Sequence, residues 1–167
     1  GNPFPSRVGA TGGLYLSDPF RDGKTTLRLE HTRATNWLYT GVDRSGDYVR
    51  GGRSLGHWCA PDCELWSVVA THRFPEGSAV ELAYELVRKG EGELGQRWGN
   101  VEEAWSKLYL SGVVESTHGL RLTYAWRKPP GLFQSVTLGW FAAANAGHQA
   151  GLTWQGWSVR WEARHEF

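Results

Sequence analysis

The sequence contains no methionine, and no run approaches the roughly 18 apolar residues that a membrane-spanning helix requires, so no helix of this chain crosses a bilayer. Charge is sparse and balanced. Charged residues make up 21% of the 167, the net charge is +1, and no basic stripe carries interleaved aromatics, which excludes the electrostatic footprint of a nucleic-acid-binding protein. Cysteine is limited to two residues, Cys59 and Cys63. Zinc would need further Cys or His ligands at suitable spacing, and only His57 and His72 lie near, so no metal or cofactor is expected. A Cys59–Cys63 disulfide closing a small loop is the better reading, and it implies an oxidising compartment. With methionine missing, Gly1 is not an initiator and is expected to follow a processing event, a cloning boundary or an upstream segment.

What the chain does have is tryptophan, 10 residues, and glycine, 22 residues. That pairing suits many strands joined by tight turns. A hydrophobic fraction of 40% and a mean hydropathy of −0.46 would by themselves suit a soluble β protein. A transmembrane β-barrel gives the same totals, because half of each strand faces lipid and half a polar lumen. Composition leaves both classes open.

Alternation is clearest near the C-terminus. Trp157, Val159, Trp161, Ala163, His165 and Phe167 fall on one face, and Ser158, Arg160, Glu162, Arg164 and Glu166 on the other. A period of two over about 11 residues is the length a tilted strand needs to cross a bilayer, and a helix would spread the Arg/Glu row around its circumference. The same parity predicts strands around Leu152, Leu138, Leu122, Leu82, Val68 and Leu29, with further strands at 14–16, 39–50 and 107–114. The total is about ten antiparallel strands in a single domain over 1–167. Segment 100–108 reads equally well as a helical turn in a loop, with Asn100 and Glu103 placed as a cap and its partner.

If Phe167 closes a final strand at the periplasmic rim, loops 51–63 and 89–104 fall outside the cell. Turns at 75–78, 116–118 and 143–146 then fall inside, with a tight outer link at Gln155–Gly156. Long loops outside and short turns inside are the barrel pattern. Trp66, Trp126, Trp154 and Trp157 are then expected at outer strand ends, and Phe74, Trp140 and Phe167 at inner ends, as two interfacial aromatic girdles. The expected fold class is an all-β antiparallel transmembrane β-barrel in the bacterial outer membrane, in contact with outer-membrane lipid. Alternation by itself would also fit a soluble barrel with its apolar face turned inward.

Three short motifs carry a resemblance. Leu29-Glu30-His31-Thr32-Arg33-Ala34-Thr35, then Gly46-Asp47-Tyr48, then Gly52-Arg53-Ser54-Leu55-Gly56-His57 resemble the Wzi family of capsule-assembly outer-membrane proteins over residues 12–65. The barrels of that family are larger, so the resemblance implies that this chain is the C-terminal part of such a barrel, with a free-standing ten-stranded barrel as the alternative. The resemblance further implies a lectin-like role in holding capsular polysaccharide at the cell surface, without catalysis. The Cys59/Cys63 pair departs from the family pattern.

Candidate binding residues lie in the two long loops. Arg53, His57, Trp58, Asp62 and Glu64 combine an aromatic ring with hydrogen-bonding groups, the mixture that holds a sugar by its C–H face and hydroxyls. Arg97, Trp98 and Asn100 repeat the mixture in the second loop. The competing reading is a loop-closing turn in which His57 and Arg53 satisfy backbone carbonyls. Glu102/Glu103 and Glu162/Glu166 are paired carboxylates in the sense of a glycosidase, but neighbouring arginines make ion pairs the better account of the second pair and solvation that of the first. No nucleophile elbow is present. An outer-membrane hydrolase or a porin-like barrel acting on lipid or polysaccharide is the rival.

Overall fold

A computed structural model describes residues 7–40, 48–50, 53–95, 110–128 and 131–165. Nine strands form among the described residues: β1 Gly9–Ser17, β2 Thr25–Ala34, β3 Val49–Arg50, β4 Arg53–Ser54, β5 Cys63–Arg73, β6 Ala79–Lys89, β7 Glu115–Lys128, β8 Leu132–Ala144 and β9 Thr153–His165. Seven of them make one antiparallel sheet in the order β1-β2-β5-β6-β7-β8-β9, and β3 with β4 makes a two-residue hairpin. The sheet is open, with β1 and β9 at its edges. No closed barrel is present among the described residues.

The strand count departs from the ten predicted because two expected turns lie inside strands. Positions 116–118 belong to β7, and β9 passes straight through Gln155 and Gly156. Glycine at 156 marks close cross-strand packing instead of a bend. It lies opposite Phe141, and a Cβ there would meet the Phe141 ring at 2.5 Å. The expected strand at 39–50 is reduced to Val49–Arg50 among the described residues, and 110–114 is irregular chain.

Register makes two distinct faces. Leu14, Leu29, Val68, Tyr84, Leu120, Trp140 and Trp157 stand in one row across all seven strands, followed by Leu16, Leu27, Ala70, Leu82, Leu122, Leu138 and Val159. The opposite face carries rows such as Arg28, Val69, Ala83, Arg121, Gly139 and Ser158. Thr123 and Thr137 share a 2.9 Å hydroxyl bond there, and Arg121 pairs with Glu85 at 3.5 Å. A soluble barrel would bury its apolar face. Here the large apolar side chains are the exposed ones, with Trp157 at 79% and Val159 at 73%, whereas Thr32, Ser67, Ala83, Ser135 and Ala143 on the other face are buried.

Connections sort by length. Those at 18–24 and 74–78 and the β7–β8 link after Lys128 leave one end of the sheet, and those at 35–62, 90–114 and 145–152 leave the other. The expected inner turn at 143–146 therefore belongs to the long-loop end, and the awkward outer link at 155–156 disappears. Correcting the strand directions also exchanges two tryptophans. Trp126 pairs with Gln134 at the short-turn end, and Trp140 pairs with Trp157 nearer the loop end. Trp154 lies opposite Ala143 on the polar face, outside the girdle altogether. Phe167 falls outside the described residues.

Short turns are closed locally. In the β1–β2 turn, Asp22 accepts the Thr25 hydroxyl at 2.6 Å and the Lys24 N–H at 2.8 Å, and these bonds hold its carboxyl well below the usual carboxylate range.

Candidate functional site

The loop end is built around Asp62. Its backbone lies in the left-handed region, φ 55°, a conformation that aspartate tolerates better than most residues. Its N–H donates to the Thr35 carbonyl at 3.1 Å, and its own carbonyl accepts the Gly90 N–H at 2.9 Å. The carboxylate then accepts the Gly92 N–H at 2.8 Å and the Ser111 hydroxyl at 2.5 Å. Two loops, 35–62 and 90–114, are thereby fastened through one residue that is 1% exposed. Gly90 admits the arrangement because a Cβ there would lie 2.1 Å from the carboxylate. The Lys89 ammonium donates to the carbonyls of Cys59, at 3.1 Å, and Pro61. Asp62 is thus placed in the frame of the loops, its buried carboxylate engaged by Gly92 and Ser111.

Cys59 and Cys63 are joined in the structure, their Cα atoms 5.9 Å apart. With Ala34, Ala60 and Leu65 they form a small buried cluster, against which Leu38, Tyr39 and Val87 pack.

His57 and Trp58 stand on this platform. The His57 N–H donates to the Tyr39 hydroxyl at 3.0 Å, and the Tyr39 ring lies over Gly56, where a Cβ would meet the hydroxyl at 2.0 Å. The Gly-His pair of the third motif thus has a physical reason: glycine makes room for a tyrosine, and the next N–H binds it. His57 Nδ1 lies 3.2 Å from Cys59 Sγ and 3.4 Å from the Cys59 nitrogen, which fixes the ring over the disulfide loop. Tyr48 packs beside Tyr39 with ring centroids 5.7 Å apart, and Trp58 lies 5.8 Å from the His57 ring and is 67% exposed. A cleft of about 390 Å³ opens alongside, lined by Thr11, Thr32, Leu38, Tyr39 and His57 with Arg7. Rings, hydroxyls and an imidazole N–H on one open cleft form a surface able to take a polyhydroxylated chain.

Other predicted site residues are placed elsewhere. Glu64 sits on the apolar face, where it accepts Arg88 at 2.9 Å and approaches His31 at 3.2 Å. The Arg53 side chain and all of Arg97, Trp98 and Asn100 fall outside the described residues, as do Glu102 and Glu103. Glu162 faces Arg160 at 3.7 Å, and Glu166 is outside the described residues. Sequence reasoning missed Tyr39, which lines the cleft with its hydroxyl over Gly56, and Tyr48, which packs beside Tyr39. It also missed a hollow of about 550 Å³ near Trp154, bordered by His118, Thr153 and Gln155.

Comparison with known families gives a match. A model described as capsule assembly protein Wzi matches residues 1–153. The chain belongs to that family. The Wzi match takes in β1 to β8 and ends where β9 begins, so it reaches well past the three motifs, which stop near residue 65. Searches of curated proteins and of solved structures find no match.

Proposed function

We propose that this chain forms wall strands of an outer-membrane β-barrel whose loop end binds surface polysaccharide in capsule attachment or assembly, without catalysis. The observation that carries the reading is the exposed apolar face, combined with the placing of every long connection at one end of the sheet. Exposed leucine and tryptophan rows suit lipid, and the Arg/Glu/Thr face suits a wet lumen. Strands of 9 to 14 residues match the 9–11 or so needed to cross a bilayer with a tilt. Membership of a family described by capsule assembly supports a polysaccharide as the ligand. The cleft at Tyr39 and His57, with the exposed Trp58 ring beside it, offers the chemistry.

The hydrolase alternative finds little support in the described residues. Thr25, His72 and Asp22 lie together, with the Thr25 hydroxyl 2.9 Å from His72 Nδ1 and 2.6 Å from the Asp22 carboxylate. The hydroxyl proton goes to Asp22, so His72 does not activate it as a nucleophile. The group also sits at the short-turn end, far from the cleft.

Heat-modifiable electrophoretic migration, with β-rich circular dichroism in detergent, is the expected behaviour of closed barrel hydrogen bonding. Equal folding and solubility without detergent defeats the membrane part of the reading.

A further inference from the structure

On β2, β5 and β6 the apolar face ends in charged residues at the loop end. Arg33, Glu64 and Arg88 are direct cross-strand partners on β2, β5 and β6, in the middle of the sheet. By parity they stand on the same face as the leucine rows. One step toward the sheet centre lie His31, Trp66 and Leu86, and the His31 ring stacks on Trp66 at 4.0 Å. The order along the face is therefore leucine, then ring, then guanidinium. An ion pair placed merely for sheet stability has no reason to sit beyond an aromatic row on the lipid side. A bilayer has such a sequence of layers, with hydrocarbon, an interfacial zone and then headgroup phosphates.

We propose that Arg88, together with Arg33 across Glu64, docks the phosphate of a lipid headgroup in the leaflet at the loop end. The inference rests on the reading of the apolar face as lipid-facing. By register two arginines and one glutamate stand in this row, so it carries a net positive charge. Glu64 takes a single nitrogen of Arg88, at 2.9 Å, and also approaches His31 at 3.2 Å, while the Arg88 side chain is 46% exposed. The planar fork of arginine matches two oxygens of a phosphate, which a lysine would meet only as a point charge. Glu64 has two opposed effects: it orients Arg88, and it competes with the phosphate for it.

That competition makes the sign of one variant diagnostic. The protein is folded into nanodiscs of phosphatidylcholine with a minor fraction of phosphatidic acid, and the lipids retained around it are counted by native mass spectrometry. Quenching of tryptophan fluorescence by brominated lipid, measured in parallel, reports whether the apolar face is in the bilayer. Enrichment of phosphatidic acid is expected for the parent. Arg88→Gln and Arg33→Gln should each lower it roughly fivefold, and Glu64→Gln should raise it, with quenching unchanged in all three. Normal quenching with the same enrichment in the Arg88→Gln, Arg33→Gln double variant overturns the docking site and leaves the membrane reading standing. Absence of quenching in the parent overturns both. Displacement of phosphatidic acid by equimolar inorganic phosphate overturns the choice of a lipid as the ligand.

Discussion

The Ser111 hydroxyl donates to the Asp62 carboxylate over 2.5 Å, joining the end of the second long connection to the end of the first across 49 residues of sequence. Through this bond the loops at 35–62 and 90–114 become one surface. Asp62 also accepts from Gly92, so its removal would leave buried donors without an acceptor.

Asp62→Ala should therefore cost about 3 kcal/mol, the size expected for losing charge-assisted bonds and stranding their donors. The loss should be confined to the loops, because the sheet ladder below is untouched. Limited proteolysis of folded protein in detergent should show faster cleavage within 35–62 and 90–114, while β content by circular dichroism stays constant. Cleavage at the parental rate would show that the loops are held by other contacts.

Cys59 and Cys63 should resist alkylation in unreduced, denatured protein, because the short span between them brings the two Cα atoms to 5.9 Å. The check is intact mass after iodoacetamide treatment with and without reductant. Two added carbamidomethyl groups without reductant would mean that both thiols are free.

Leu138→Arg should weaken the folded barrel by roughly 2–4 kcal/mol, the cost of arginine near the bilayer midplane, whereas Thr137→Arg should be milder. Leu138 stands between Leu122 and Val159 on the apolar face, and Thr137 bonds Thr123 on the other. Urea titration of both variants in phospholipid vesicles measures the difference. The opposite order would reverse the assignment of the two faces.

Trp58→Ala should leave folding within about 0.5 kcal/mol of the parent, since the ring is exposed and outside the sheet. It should nonetheless release more capsular polysaccharide into the medium. Each lost ring stack is worth about 1 kcal/mol, and the loss is multiplied over many weak contacts along a polymer. Trp98 lies outside the described residues, and pairing the two substitutions should deepen the effect. Capsule retention equal to the parent's would make these loops structural and leave the polysaccharide role resting on family membership.

Sequence by itself determined the all-β class, the two faces and the family, because each depends on short-range information. A period of two is written in adjacent residues, as in Trp157 to Phe167, and the three motifs are contiguous. Strand direction was beyond its reach. Parity says which residues share a face but not which end of a strand points outward, so working back from Phe167 through a link at 155–156 reversed β8 and β7 and moved Trp126 and Trp140 to the wrong ends. The site was divided in the same way. His57 and Trp58 were legible as ring and hydrogen-bonding groups in a loop, but Tyr39 joins them only through the space left by Gly56. The roles of the two acids depended on long-range partners. Asp62 and Glu64 are two residues apart and chemically alike, yet hydrogen bonds from Gly92 and Ser111 bury the first in the loop frame, while Arg88 and His31 hold the second on the apolar face. Those partners come from other strands and loops, and only the tertiary fold brings them within bonding distance.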